Sequence, residues 1–94
     1  CGAPMEILRA CAEAIDLMAE YAAKGSRLAL SDAGAGAALL KGALQAASLN
    51  IYINAKSLQD RAAADRLTAE ADRLVAEYGA KADEIFSAVQ REIR

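Results

Sequence analysis

Apolar residues recur at spacings of three and four along almost the whole chain, and their pattern divides it into three helical segments of different character. From Met5 to Lys24, Leu8, Cys11, Ile15, Met18 and Ala22 form a stripe that Ile7, Ala14 and Tyr21 widen. Glu6, Arg9, Glu13, Asp16 and Glu20 occupy the other side, so the segment reads as an amphipathic helix. Pro4 suits its first turn, where no amide partner is needed, and Gly25 suits a left-handed C-cap. Residues Gly25 to Leu30 are expected to form the connection. The third segment begins after Ser57, read as an N-cap with Asp60 three residues on in a near capping box. From Leu58 onward Leu67, Ala71, Leu74, Tyr78, Ile85 and Val89 trace its seam, flanked by Val75, Ala82, Phe86 and Ile93. Gly79 is a point at which this helix could bend or divide.

The middle segment, Ser31 to Asn54, differs from both. It carries two charges, Asp32 and Lys41, among small residues and the apolar Leu39, Leu40, Leu44, Leu49, Ile51 and Ile53. Leu39, Leu40, Ala43 and Leu44 share one helical arc, and Ala35, Ala38, Gly42 and Ala46 fill much of the opposite one. A helix without a broad polar face is buried on most sides. Ser31 reads as its N-cap and Asp32 as an acid in the first turn, favoured by the positive end of the helix dipole. The helix should run to about Asn50, with Ile51–Asn54 either continuing or unwinding. The two flanking helices are not enough to cover it completely.

These elements predict an all-α fold, a single helical domain over residues 1–94, built as an antiparallel bundle of three or four helices. An unbroken helix from 58 to 93 would be about 50 Å long at 1.5 Å per residue. That is too long for a compact monomer of 94 residues, so a long bundle completed by oligomerisation is expected. Composition agrees. Alanine is abundant, proline occurs once and valine is confined to Val75 and Val89, which favours helix over sheet.

Charge and cysteine content exclude more than they identify. A net charge of −2 offers no basic field for nucleic acid. The chain has no histidine, which removes imidazole metal sites and Ser-His-Asp triads. Two cysteines, Cys1 and Cys11, suggest no disulfide framework, and Cys11 on the apolar face should pack as a small hydrophobe. No apolar run reaches the ~20 residues of a membrane span, and no signal peptide is recognisable, so a reducing, cytoplasmic setting without membrane partners is expected. The opening Cys1 hints at a fragment or a processed product.

The order Gly25…Ser31-Asp32-Ala33-Gly34, then Ala46-Ala47, Asn50-Ile51, Ile53-Asn54 and Ser57-Leu58-x-Asp60 resembles the cyclodeaminase/cyclohydrolase family of folate-processing proteins. The Pro4-x-x-Ile7…Ala10-Cys11-Ala12-Glu13 helix looks like the segment that precedes the S-D-x-G stretch there. The resemblance covers nearly the whole chain, but only the C-terminal half of a family member. Two features depart from the family pattern. Tyr52 stands between the asparagines where a basic residue is common, and Gly25-Ser26-Arg27-Leu28 replaces a G-N-P-N-like loop.

The resemblance implies that a one-carbon unit bridging two nitrogens of a tetrahydrofolate derivative is opened or closed, with no metal or bound cofactor. Such chemistry needs a group that moves protons at the tetrahedral adduct and a polar wall that orients the folate. Asp32 is the acid inside the apolar stretch and is the candidate for the first role. Asn50 and Asn54 could orient the pterin edge through paired donors and acceptors. Ser31 stands beside Asp32, and Lys41 could meet the glutamate tail or pair with Asp32 of a neighbouring chain. Each also has a structural reading. In that reading Asp32 is a helix-start residue, Asn50 and Asn54 are a helix end and turn, and Lys41 is a snorkelling or paired lysine. The expected assembly is a homo-oligomer, a homodimer or larger. Two other readings stand beside the enzyme: a non-catalytic interaction module or inactive family fragment, and a helical hairpin that binds an amphipathic partner helix.

Overall fold

The computed structural model describes residues 2–24 and 27–94, and its regular structure is helical throughout. Three helices follow in order: α1 (Gly2–Lys24), α2 (Arg27–Lys56) and α3 (Arg61–Ile93). Their directions follow from the side chains that link them. Lys41 and Tyr52 of α2 reach Asp83 and Asp72 of α3, so the two helices run antiparallel. Arg9 and Asp16 of α1 reach Glu70 and Lys81 of α3, so those two run parallel. The result is an up-down-up bundle of 50 × 18 × 16 Å. Its length is that of α3, whose 33 residues span about 50 Å.

The core is a seam of alternating small and branched residues. Leu8 and Ile15 of α1 and Leu44 and Ile51 of α2 are fully buried. They close against Ala71, Leu74, Ala82, Ile85 and Val89 of α3. Each large aliphatic side chain buried in this way contributes about 1.5–3 kcal/mol. Small residues set how closely the helices approach. A Cβ placed on Gly34 would lie 2.9 Å from a methyl of Val89, so α2 and α3 touch backbone to side chain there. Cys11 is buried as expected, and Met5 with it, while Ile7, expected to widen the α1 stripe, is exposed together with Leu17.

The helix boundaries correct the sequence reading in three places. Ser31 is not an N-cap. α2 already begins at Arg27, and a cap requires the chain to leave the helix at that residue. No glycine or proline separates Arg27 from Ala33, so nothing interrupts the helix there. At its other end α2 does not stop near Asn50 but continues to Lys56. Ile51 and Ala55 lie in the core, and their burial outweighs the weak propensities of Ile, Tyr and Asn.

Ser57 is not the cap of α3 either. Its hydroxyl donates back to the Asn54 carbonyl at 2.9 Å, which closes α2. The N-cap of α3 is Asp60, with extended backbone and a carboxylate that accepts from the Ala63 amide at 3.1 Å. α3 runs unbroken through Gly79, which is buried. Gly25, expected to end the first helix, and Cys1 lie outside the described residues, as does the side chain of Tyr21.

Candidate functional site

α2 presents two unlike sides. Ala33, Ala37, Leu44, Ala47, Ile51 and Ala55 face the bundle and are almost inaccessible. The opposite side exposes Leu39 (77%), Leu49 (61%) and Ile53 (65%), with Ala35, Ala38, Gly42 and Ala46 between them. The expectation that two helices would leave α2 incompletely covered is thus met by a continuous apolar strip along its outward side.

The residues singled out for chemistry are spread over this helix. Ser31 and Asp32 are exposed near its start, and Asn50 is exposed near its end. At 100° per residue, Asp32 and Asn50 fall on the same edge of the outward strip, the edge toward α1. Gly36, on that side, would carry its Cβ against Met18 of α1. Asp32 and Asn50 are separated by about 27 Å of continuous helix, since each residue advances the chain 1.5 Å. One chain therefore does not bring them together.

Asn54 is half-buried, and its carbonyl receives both the amide and the hydroxyl of Ser57 at 3.2 and 2.9 Å. Lys41 turns toward α3, where its ammonium donates to both carboxylate oxygens of Asp83 at 2.8 and 3.0 Å. That pair is substantially exposed, so it orients the helices more than it stabilises them.

Among the described residues, two hollows open at the end of the bundle that holds Ser31. The smaller, about 300 Å³, lies between the first turns of α2 and the last turns of α3. Ser31, Gly34 and Ala35 form one wall, and Phe86, Val89 and Gln90 form the other. Phe86 is half exposed there and offers an aromatic face. Asp32 points around the helix from this hollow, so Ser31 and Asp32 serve different sides. The larger, about 520 Å³, is lined mostly by alanines of α1 and by Glu84, Ile85 and Glu92 of α3. Phe86 and Gln90 were not read as functional, because Phe86 fits the flank of a core seam and Gln90 carries no motif.

Polar ties between helices were also not legible as pairs. Asp16 accepts from both Lys81 and Tyr78, the latter at 3.1 Å. The hydrogen bond from Lys81 holds the Asp16 carboxyl below its usual range, and the same bond raises Lys81. Tyr52 donates to Asp72 at 2.6 Å, and that bond raises the Tyr52 phenol. Burial raises the Cys11 thiol, which suits a packing residue. Among the described residues no group of three or more His, Cys, Asp or Glu could hold a metal ion, and no helix is long and apolar enough to cross a membrane.

Comparison with known proteins assigns the ancestry of this arrangement. Over 90 residues, 96% of its length, the chain is 39% identical to the methenyltetrahydrofolate cyclohydrolase of Methylorubrum extorquens. The match covers 43% of that relative, so the chain spans less than half of its length. The formiminotransferase-cyclodeaminase family profile matches residues 1–73, a stretch that contains α1, all of α2 and both asparagines. The chain belongs to the formiminotransferase-cyclodeaminase family.

Proposed function

We propose that this chain works in folate one-carbon metabolism, as part of a methenyltetrahydrofolate cyclohydrolase or a formimidoyltetrahydrofolate cyclodeaminase. The observation that carries the reading is the family match over residues 1–73, joined to the 39% identity with a protein of the first activity. The substrate is a tetrahydrofolate derivative, with no resident metal or cofactor. The setting is cytoplasmic, and the working form is a homodimer or larger assembly that covers the outward strip of α2.

In the cyclohydrolase direction, water adds to the amidinium carbon that bridges two folate nitrogens. The water gives up a proton as the tetrahedral adduct forms, and one nitrogen takes up a proton as its bond to that carbon breaks. The product is the formyl compound. In the cyclodeaminase direction, the folate nitrogen that does not carry the formimidoyl group attacks its carbon and gives up a proton, and the imino nitrogen takes up a proton and leaves as ammonia. Asp32 is the group assigned to carry protons in either case, with Asn50 and Asn54 orienting the pterin and Ser31 and Lys41 as further polar contacts.

The test is turnover of methenyltetrahydrofolate, followed by loss of its absorbance, in the unaltered chain and in Asp32→Ala. A proton-transfer role predicts a fall in kcat of about 10²–10⁴-fold with helicity and assembly retained. Unchanged turnover removes Asp32 from the mechanism.

One observation favours a second reading, a non-catalytic helical interaction module. Tyr52 stands where the family commonly has a basic residue, and its hydroxyl is engaged by Asp72 at 2.6 Å. A folded, assembled chain that neither binds nor turns over a tetrahydrofolate derivative would select that reading.

A further inference from the structure

The smaller hollow, between the first turns of α2 and the last turns of α3, takes part in the chemistry assigned so far only through Ser31. Asp32 lies around the helix from it, so the hollow suits a part of a ligand that does not react. At about 300 Å³ it has room for part of a drug-sized molecule rather than the whole. Its α2 wall is low, because Gly34 has no side chain and Ala35 has a single methyl. The opposite wall carries Phe86, which is 44% exposed although Val89 on the same wall is buried. An aromatic ring left bare inside a concave space is a surface on which a second flat ring stacks, with centroids about 4.5–7 Å apart.

The residues after Phe86 give the hollow a direction. Gln90 stands one turn on and Arg94 one turn further, so the three follow one edge of α3 at spacings of four. Each step advances about 6 Å, and all three residues are exposed. The edge runs from an aromatic face to a carboxamide to a guanidinium, that is, from stacking to neutral hydrogen bonding to an anion contact. Arg91 adds a second positive charge at the same end, and Ser31 offers a hydroxyl from the facing wall. Glu92, the acid between them, lines the other hollow on the α1 side.

The p-aminobenzoylglutamate end of a tetrahydrofolate derivative has its groups in that order: a flat ring, an amide and then carboxylates. We propose that the hollow is the subsite for this non-reacting end of the substrate, an assignment that rests on the folate reading above. The ring stacks on Phe86, the amide meets Gln90 and Ser31, and a glutamate carboxylate is held by Arg94. Lys41, the other cation offered for the tail, already donates to Asp83. Phe86, Gln90 and Arg94 all lie beyond residue 73, where the family profile ends. Both walls come from one bundle. Because these groups hold a part of the substrate that is unchanged in the transition state, they set KM and not kcat.

The fragment p-aminobenzoyl-L-glutamate tests the subsite without turnover, titrated into the unaltered chain and followed by proton NMR. Stacking on Phe86 is expected to move the benzoyl proton resonances upfield, and Phe86→Leu to abolish that shift. Arg94→Gln is expected to weaken the fragment about tenfold and to leave p-aminobenzamide, which lacks the carboxylates, unaffected. Both positions are exposed, so helical content should not change. In turnover of methenyltetrahydrofolate each variant should raise KM about three- to tenfold with kcat within about twofold, the reverse of the split expected of Asp32→Ala.

Fragment binding that ignores both substitutions would overturn the subsite and leave the folate reading standing. So would turnover with an unchanged KM in both variants, and that KM decides where the fragment alone gives no shift. Fragment binding in the expected pattern by a chain that does not turn over the substrate would keep the subsite and remove the activity. A folded chain that binds neither the fragment nor methenyltetrahydrofolate would overturn both.

Discussion

The two sides of α2 are made from nearly the same residues, leucine, isoleucine, alanine and glycine, yet one is core and the other is bare. Leu44 is fully buried, whereas Leu39, five residues earlier, is 77% exposed. Gly34 is bare because Val89 fills the space a side chain would need, and Gly42 is bare with no neighbour at all. Hydrophobicity therefore does not mark the inside of this bundle. What separates the two sides is whether α1 and α3 can reach them, and two helices can only cover part of a third.

The comparison can be broken most strongly from within. Leu44→Ala leaves a cavity at the centre of the seam and should cost about 2–5 kcal/mol, read from urea unfolding followed by circular dichroism. Leu39→Ala at the same dilution should change stability by less than about 0.5 kcal/mol. Similar losses at the two positions would mean that the outward side is covered within the single chain.

The glycines give a smaller contrast of opposite sign. Gly34→Ala forces its Cβ against Val89, a branched side chain with little freedom, and should cost about 1–3 kcal/mol. Gly42→Ala, measured where the chain is monomeric, should raise stability by up to about 1 kcal/mol through helix propensity alone. Thermal midpoints of the two variants should move in opposite directions.

The polar ties come next. Tyr52→Phe removes the bond to Asp72 and should cost about 0.5–1.5 kcal/mol at neutral pH. Because Tyr52 is raised by that bond, the folded chain holds its proton more tightly than the unfolded one. The contribution is complete below the ordinary tyrosine value near pH ~10 and is lost as pH rises through the higher folded value. The Phe variant should lack that alkaline slope in unfolding midpoints.

Asp16 gives the smallest effect and the opposite direction. Lys81 lowers it, so its contribution is complete above the ordinary aspartate value near pH ~3.9 and is lost as pH falls through the lower folded value. Asp16→Asn should flatten the acid limb of the same titration and leave neutral stability little changed, since the group is well exposed.

How much of this was legible depended on the kind of signal. The α1 and α3 stripes were readable because each has a charged side that sets the phase of the helix, and Leu8, Ile15, Leu74, Ile85 and Val89 fall where the spacing puts them. On α2 there is no such phase. Leu39 and Leu44 shared an arc in the sequence reading but lie on opposite sides of the burial boundary. The caps were misread for a related reason. Ser31 and Ser57 are good cap residues in isolation, but a cap is decided by where the backbone leaves the helix. For α3 that point is Asp60, which was read as the cap's partner instead. In the candidate site, the type and order of Ser31, Asp32, Asn50 and Asn54 were readable as a motif. The separation of Asp32 from Asn50 along one helix was readable too, but the place of Asn54 was not, because the sequence left Ile51–Asn54 undecided and only the burial of Ile51 and Ala55 carries α2 on to Lys56.

The sequence alone determined that the chain is helical, where its three segments lie, that α1 and α3 are amphipathic, and which family the motifs resemble. All of these follow from local propensity and from periodicity, which act within a few residues. Only the tertiary structure decided which side of α2 is packed, that α2 is one helix from Arg27 to Lys56, and that Lys41 and Tyr52 are committed to α3. Those outcomes depend on contacts such as Tyr52–Asp72 and Lys41–Asp83, between residues 20 and 42 positions apart in the chain. Burial there is a property of the space that neighbouring helices leave, and no stretch of α2 encodes it by itself.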